Sequence, residues 1–168
     1  MLPFYIDLSL TLVNLAHRTW ESLRLCPPNG IDVGEETLTD INLLDIQVQH
    51  SAKITLYKYP KLQEHVASGD DWEWFIGNSR SGWRTLRIQA KKLFFKSNRY
   101  IYQELNGAQL HLLLSSATNP AVGAVPMYCF YNYWDHNAPT GPGPWLTRRC
   151  TCFSPANHPS ELQGCALA

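Results

Sequence analysis

The chain has no excess of charge in either direction: fourteen Lys and Arg side chains balance fourteen Asp and Glu over 168 residues. Bulk charge therefore draws it neither to nucleic acid nor to a membrane, and a local basic patch would be needed for either. No run approaches the ~18–20 apolar residues of a membrane span. The first twenty residues are apolar, yet Asp7 stands where a secretory leader is positive, and His17-Arg18 follows instead of a small-residue cleavage site. The expectation is a helix in a cytoplasmic protein. The five cysteines (Cys26, Cys129, Cys150, Cys152 and Cys165) are odd in number and scattered, which does not suit a disulfide framework. Cys150-Thr151-Cys152 lacks the two-residue gap of a zinc knuckle, although His136 and His158 lie nearby in sequence. Reduced structural thiols are expected. There is no internal repeat.

What is present is an ordinary globular composition, 45% hydrophobic and 17% charged, long enough for one domain with a hydrophobic core. Residues 5–25 place Leu8, Leu12, Leu15, Trp20 and Leu23 near helical spacing, and Cys26-Pro-Pro-Asn-Gly30 breaks that run. A second helix is predicted from about Glu35. Its apolar stripe would be Leu38, Ile41, Leu44, Ile46 and Val48, with acids in the first turn where the helix dipole favours them. Lys53 to Tyr59 alternates as a strand, stopped by Pro60. Residues 61–69 read as a loop or short turn. Asp71 to Ile76 and Trp83 to Lys91 read as a hairpin about residues 77–82. Residues 94–105 fit neither period. Gly107 to Ala117 is helical in pattern, and Val125 to Tyr133 is strongly β. The layout is an N-terminal helix and linker (1–30), a core (31–134), and a Pro/Gly-rich loop with an irregular tail (135–168). The fold class is α/β, a small mixed β-sheet flanked by helices.

A hairpin centred on Arg80 sets Asp71 opposite Gln89, Glu73 opposite Arg87 and Phe75 opposite Thr85. Strand alternation then gathers Asp71, Glu73, Arg87, Gln89 and Lys91 on one face. The other face holds Trp72, Trp74, Ile76, Leu86, Ile88 and Ala90. A one-residue slip would bury charges and expose tryptophans, so this register is strongly specified. Asp71 and Glu73, about 7 Å apart along the strand, repel unless something positive offsets them. Arg87 and Lys91 would do so, and Mg²⁺ would do so better, because carboxylate, amide and carbonyl oxygens suit a hard cation. The bland alternative is a solvated strand face. Trp72, Trp74 and Trp83 are expected in the core rather than as base-stacking platforms.

An acidic helix, a strand opening with Asp, a hairpin partner carrying (Asp/Glu/Gln)-x-Lys, then helix and strand: this order is similar to the PD-(D/E)XK, restriction-endonuclease-like nuclease superfamily. Gly69-Asp70-Asp71-Trp72-Glu73-Trp74 and Ile88-Gln89-Ala90-Lys91 carry the resemblance, and Gln-x-Lys resembles the Mrr-like branch. The chain also resembles an uncharacterised bacterial family, over about residues 8 to 135. The marks of that likeness are Glu35 to Asp40, Asp71 to Trp74, Gln89 to Lys91 and Pro126 to Tyr133, and it implies more chain beyond Ala168.

The nuclease resemblance implies an αβββαβ core that hydrolyses phosphodiester bonds in DNA with Mg (or Mn), in the setting of genome defence. Asp71 would be the central metal ligand and the Ala90 carbonyl would complete that side. Gln89 stands where an acid is commoner, so it offers an oxygen without charge. Lys91 would activate the attacking water and stabilise charge on the phosphate. Glu36, with Glu35 as the alternative, would be the remote acid, and Glu73 a further ligand. Arg87, Lys92 and Gln109 would face the nucleic-acid substrate. The alternative is a catalytically inactive nucleic-acid or protein-binding module on the same fold. A hydrolase using His111 or His136 with a cysteine is a third reading, without a nucleophile placed beside a base.

Overall fold

Helix α1 (Leu2–Leu25) stops where Pro27 and Pro28 remove backbone donors. Leu8, Thr11, Leu15, Thr19 and Leu23 recur at helical spacing and are buried along one side. These features come from a computed structural model that describes residues 2–59, 68–80, 82–96, 99–102, 107–119, 123–134 and 152–155. Helix α2 (Glu35–His50) buries Leu38, Thr39, Asn42, Leu43 and Ile46. This corrects the apolar stripe expected from sequence. Ile41, Leu44 and Val48 face solvent, because the 3.6-residue period that carries Leu38 and Ile46 inward turns those three outward. The two helices are joined by Thr19 and Asn42, whose side chains hydrogen-bond at 3.1 Å, and by the Arg18–Asp45 ion pair.

The strands are β1 (Ile54–Lys58), β2 (Trp72–Asn78), β3 (Gly82–Lys96), β4 (Arg99–Tyr102), β5 (Val125–Tyr131) and β6 (Cys152–Pro155), and helix α3 (Ala108–Ala117) lies between β4 and β5. The sheet order is β1-β2-β3-β5-β6, with β4 also on β3. Among the described strand pairs only β3 and β5 run parallel, and a parallel neighbour needs a crossover, which contains α3. The mixed α/β class and the helix-covered sheet agree with the sequence reading. Residues 94–105, which showed no clear period, contain the end of β3 and the return strand β4, paired Leu93↔Tyr102 to Lys96↔Arg99. The tail read as irregular contributes β6, paired with β5; a strand of four residues is too short to show a period. Residues 61–67 of the expected 61–69 turn, and the start of the Pro/Gly-rich segment from 135, lie outside the described residues.

The sheet separates two apolar layers. On one side α1 and α2 pack against Trp72, Trp74, Ile88, Ala90, Cys129 and Tyr131. On the other, Leu113 of α3 packs against Tyr128 and Phe130. The 1–30 segment thus belongs to the same core as the strands. The hairpin register is the one the alternation predicts: Glu73↔Arg87, Phe75↔Thr85 and Asn78↔Gly82. Among the described residues no helix is long and apolar enough to cross a membrane.

Candidate functional site

The site begins where β2 and β3 part. Their last ladder pair is Trp72↔Ile88. One residue earlier the Asp71 N–H still donates to the Ile88 carbonyl at 2.8 Å. From Gln89 to Lys92 no described strand lies beside that edge of β3, and the N–H groups of Ala90 and Lys92 point the same way, two residues apart. Both residues are buried, so unfilled donors there would cost about 1–3 kcal/mol each. Two carboxylates fill them. Asp71 Oδ2 accepts from the Ala90 N–H at 2.5 Å, and Glu35 Oε2 accepts from the Lys92 N–H at 2.5 Å. The two donors are roughly 7 Å apart along the strand. Strand geometry turns the Ala90 carbonyl to this same edge, between the two carboxylates.

The adjoining face of β3 carries Gln89 and Lys91, both buried. Lys91 Nζ donates to Gln109 Oε1 at 2.9 Å. Gln89 is 1% exposed, and neither end of its amide has a hydrogen-bond partner among the described residues. Burial pushes the Glu35 carboxyl up, against the opposing charge of Lys91 and the Lys92 N–H bond. A cation beside Glu35 would oppose the same desolvation.

Gln109 reaches Lys91 because α3 is pressed against the segment leading into β2. Gly69 has φ +74°, and a Cβ there would lie 2.5 Å from the Gln109 carbonyl oxygen and 2.6 Å from the Leu113 nitrogen. Ser116 Oγ adds a bond to the Ser68 carbonyl at 2.8 Å. A side chain at residue 69 would hold the helix away. The polar face of the hairpin is therefore covered, not solvated.

The structure separates the remaining candidates from this centre. Glu36 is exposed, and Glu35 is the acid that reaches β3. The signal was in the sequence: Leu38, Thr39 and Asn42, which are buried, stand three, four and seven residues after Glu35. Glu73 is bound to Arg87 at 2.6 Å, with both side chains nearly buried. The nearby Tyr59 phenol is pushed up chiefly by burial and then by the charges of Asp70 and Glu73. Lys92 donates from Nζ to Asp32 Oδ1 at 2.7 Å and to the Val33 carbonyl at 2.6 Å. Arg87 and Lys92, expected to face substrate, are thus engaged inside the fold.

Asp70 was not singled out from sequence. It is 0% exposed, and neither carboxylate oxygen closes a hydrogen bond of normal geometry among the described residues. Burial pushes its pKa up, only partly offset by the neighbouring Ser68 hydroxyl and the Arg87 charge.

The donor set suits a small hard cation in part. Among the described residues no three His, Cys, Asp or Glu side chains converge. The set is instead two carboxylates, Asp71 and Glu35, each with one oxygen on a backbone N–H, plus the Ala90 carbonyl and the unpartnered Gln89 amide. Mg²⁺ characteristically takes one or two carboxylates and keeps several waters, so this set fits it, whereas Glu36 and Glu73 do not join. The side chains of Cys150, Cys152, His136 and His158 lie outside the described residues. Cys129 is buried and its thiol is pushed well up by desolvation, which makes it a poor nucleophile.

One family model matches residues 8–168, that of a family of unknown function, DUF6615. No curated protein matches the sequence.

Proposed function

We propose that this chain, which belongs to the DUF6615 family of unknown function, is a divalent-metal-dependent nuclease hydrolysing phosphodiester bonds in DNA. The observation that supports this most is the placement of Asp71 and Glu35 on consecutive free donors of β3, flanking the Ala90 carbonyl. Lys91 sits one residue away on the adjoining face. Asp71, Glu35, the Ala90 carbonyl and Gln89 would hold the ion. Mg²⁺ or Mn²⁺ would supply charge neutralisation at the scissile phosphate and a more acidic attacking water.

The chain's own groups have separable tasks. Gln109 fixes the Lys91 ammonium at 2.9 Å, which presents a held positive charge to the developing negative charge of the phosphorane. Gln89 orients a water or ligand with a neutral amide, so the site carries fewer negative charges than one with an acid there. Lys92 ties the α1–α2 linker to β3 and so holds Glu35 in place.

A second reading has its own observation. Each carboxylate already satisfies a backbone N–H, which is a sufficient structural reason for both. On that reading the fold is an inactive nucleic-acid or protein-binding module. The deciding experiment incubates purified protein with plasmid and linear DNA, with and without Mg²⁺ or Mn²⁺, alongside Asp71→Asn and Lys91→Met. Metal-dependent cleavage lost in both variants supports the nuclease. Cleavage that persists in Asp71→Asn, or calorimetry showing no Mn²⁺ binding by the wild type, rejects it.

A further inference from the structure

Seven of the fourteen cationic side chains fall between Trp74 and Gln103, and no Asp or Glu does. A neutral chain is thus strongly polarised along β2, β3 and β4. Three of these cations are engaged internally: Arg87 by Glu73, Lys91 by Gln109, and Lys92 by Asp32 and the Val33 carbonyl. Arg80 and Arg84 are exposed at the tip of the β2–β3 hairpin. Neither forms a salt bridge among the described residues.

The same tip presents Trp83, which is 54% exposed. Trp72 and Trp74, on the same hairpin, are buried, so core packing does not account for this indole. Its cross-strand partner is Gly77, which has no side chain to cover it. A Cβ at Gly77 would lie 2.1 Å from the Gly82 carbonyl oxygen, so the hairpin closure requires that position to be bare. The result is an exposed indole at a tip that also exposes two guanidinium groups, Arg80 in the turn and Arg84 on the opposite face of β3. Alternation puts Trp83 on the same face of β3 as Gln89 and Lys91. Six residues separate Trp83 from Gln89, roughly 20 Å of strand.

We propose that this hairpin tip grips single-stranded nucleic acid. Trp83 stacks on a base, and Arg80 and Arg84 neutralise neighbouring phosphates. A base in a duplex has both faces occupied by its neighbours, whereas an unpaired base can be splayed onto an aromatic ring. That favours a single strand over duplex at a lone exposed indole. This grip does not depend on the nuclease reading.

The test is fluorescence anisotropy of a fluorescein-labelled twenty-nucleotide thymidine oligonucleotide with the full chain in EDTA, so that binding is read without turnover. Trp83→Ala is expected to weaken binding roughly ten-fold. Arg80→Ala with Arg84→Ala should lower the slope of log affinity against log salt by about 1.4, the loss of two single-strand phosphate contacts. Circular dichroism should be unchanged in both variants, since the side chains are exposed. The grip is rejected if wild type does not bind, if Trp83→Ala binds within two-fold of wild type, or if polyglutamate competes as well as the oligonucleotide. Tighter binding of a duplex of the same sequence rejects it too. Trp83-dependent binding without any metal-dependent cleavage would sustain the grip and remove the nuclease. Cleavage with Trp83-independent binding would do the reverse.

Discussion

Gly69 and Gln109 meet backbone to backbone: a Cβ on Gly69 would stand 2.5 Å from the Gln109 carbonyl oxygen. This contact brings the first turn of α3 over the strand that carries Lys91, and so decides whether the Gln109 amide reaches the Lys91 ammonium. Gly69→Ala adds the Cβ clash to the strain of a positive φ, about 1–3 kcal/mol for the strain alone. In a chain of this size each kcal/mol lowers Tm by roughly 2–4 °C. A fall of several degrees in a thermal melt is expected. An unchanged Tm would show that α3 is not seated on this segment.

Glu35 and Glu36 are neighbours in sequence with different surroundings. Glu35→Gln keeps an oxygen for the Lys92 N–H but removes the charge beside Lys91. It should abolish metal-dependent cleavage while leaving Tm nearly unchanged. Glu36→Gln, on the exposed side of the first turn, should retain activity. Cleavage assays on the two variants side by side decide the assignment, and loss in Glu36→Gln alone would reverse it.

Arg87 and Glu73 form a nearly buried pair at 2.6 Å. Truncating one partner leaves a charge without its counter-ion, which typically costs about 3–5 kcal/mol. Arg87→Met should therefore destabilise strongly in denaturant unfolding. The double variant Arg87→Met/Glu73→Leu should recover much of the loss. Additive losses in that cycle would mean that the pair is not coupled.

Lys92 has a nearly buried ammonium whose partner Asp32 is largely exposed. The ion pair itself is worth little at such a surface, whereas the bond to the Val33 carbonyl is made by a charged donor. Lys92→Met should cost roughly 1–3 kcal/mol, and Asp32→Ala less than about 0.5 kcal/mol. Equal losses in urea unfolding would shift the weight to the ion pair.

Burial pushes the Cys129 thiol well above its ordinary 9.0 and the Tyr128 phenol from 10.0 up to about 12. Both groups hold their protons more tightly folded than unfolded. Their contribution to stability is complete below the unfolded values and is lost as pH rises through the folded ones. Tm should be flat from about pH 7 to 9 and decline above that. Cys129→Val should move the onset of the decline toward the tyrosine range near pH 10. Melts at closely spaced pH values test this, and an identical onset in the variant would dismiss the thiol.

The hairpin was legible because two constraints agree. Trp72, Trp74, Ile88 and Ala90 alternate with charged or amide residues, so only one register puts all four into the core. Gln109 could be placed near the site because it opens the helix that follows the hairpin. Helix α2 was legible as an element but not in phase: Ile41, Leu44 and Val48 are as apolar as the residues it buries. That ambiguity hid Glu35 behind Glu36. Trp83 looked like core because a tryptophan on a strand usually is. Its exposure depends on Gly77 being its cross-strand partner and on no described residue packing over the tip.

Local chemistry within the sequence determined the helices, the strand alternation, the hairpin register and the apolar face, because each depends on residues a few positions apart. Which charges remain available was decided only in three dimensions. Lys92 is bound to residues 59 and 60 positions away, and Glu35 caps a donor 57 positions away. Composition cannot tell a cation bound to its own fold from one open to a ligand, since that depends on which buried donors and acceptors the packed chain leaves without a nearer partner.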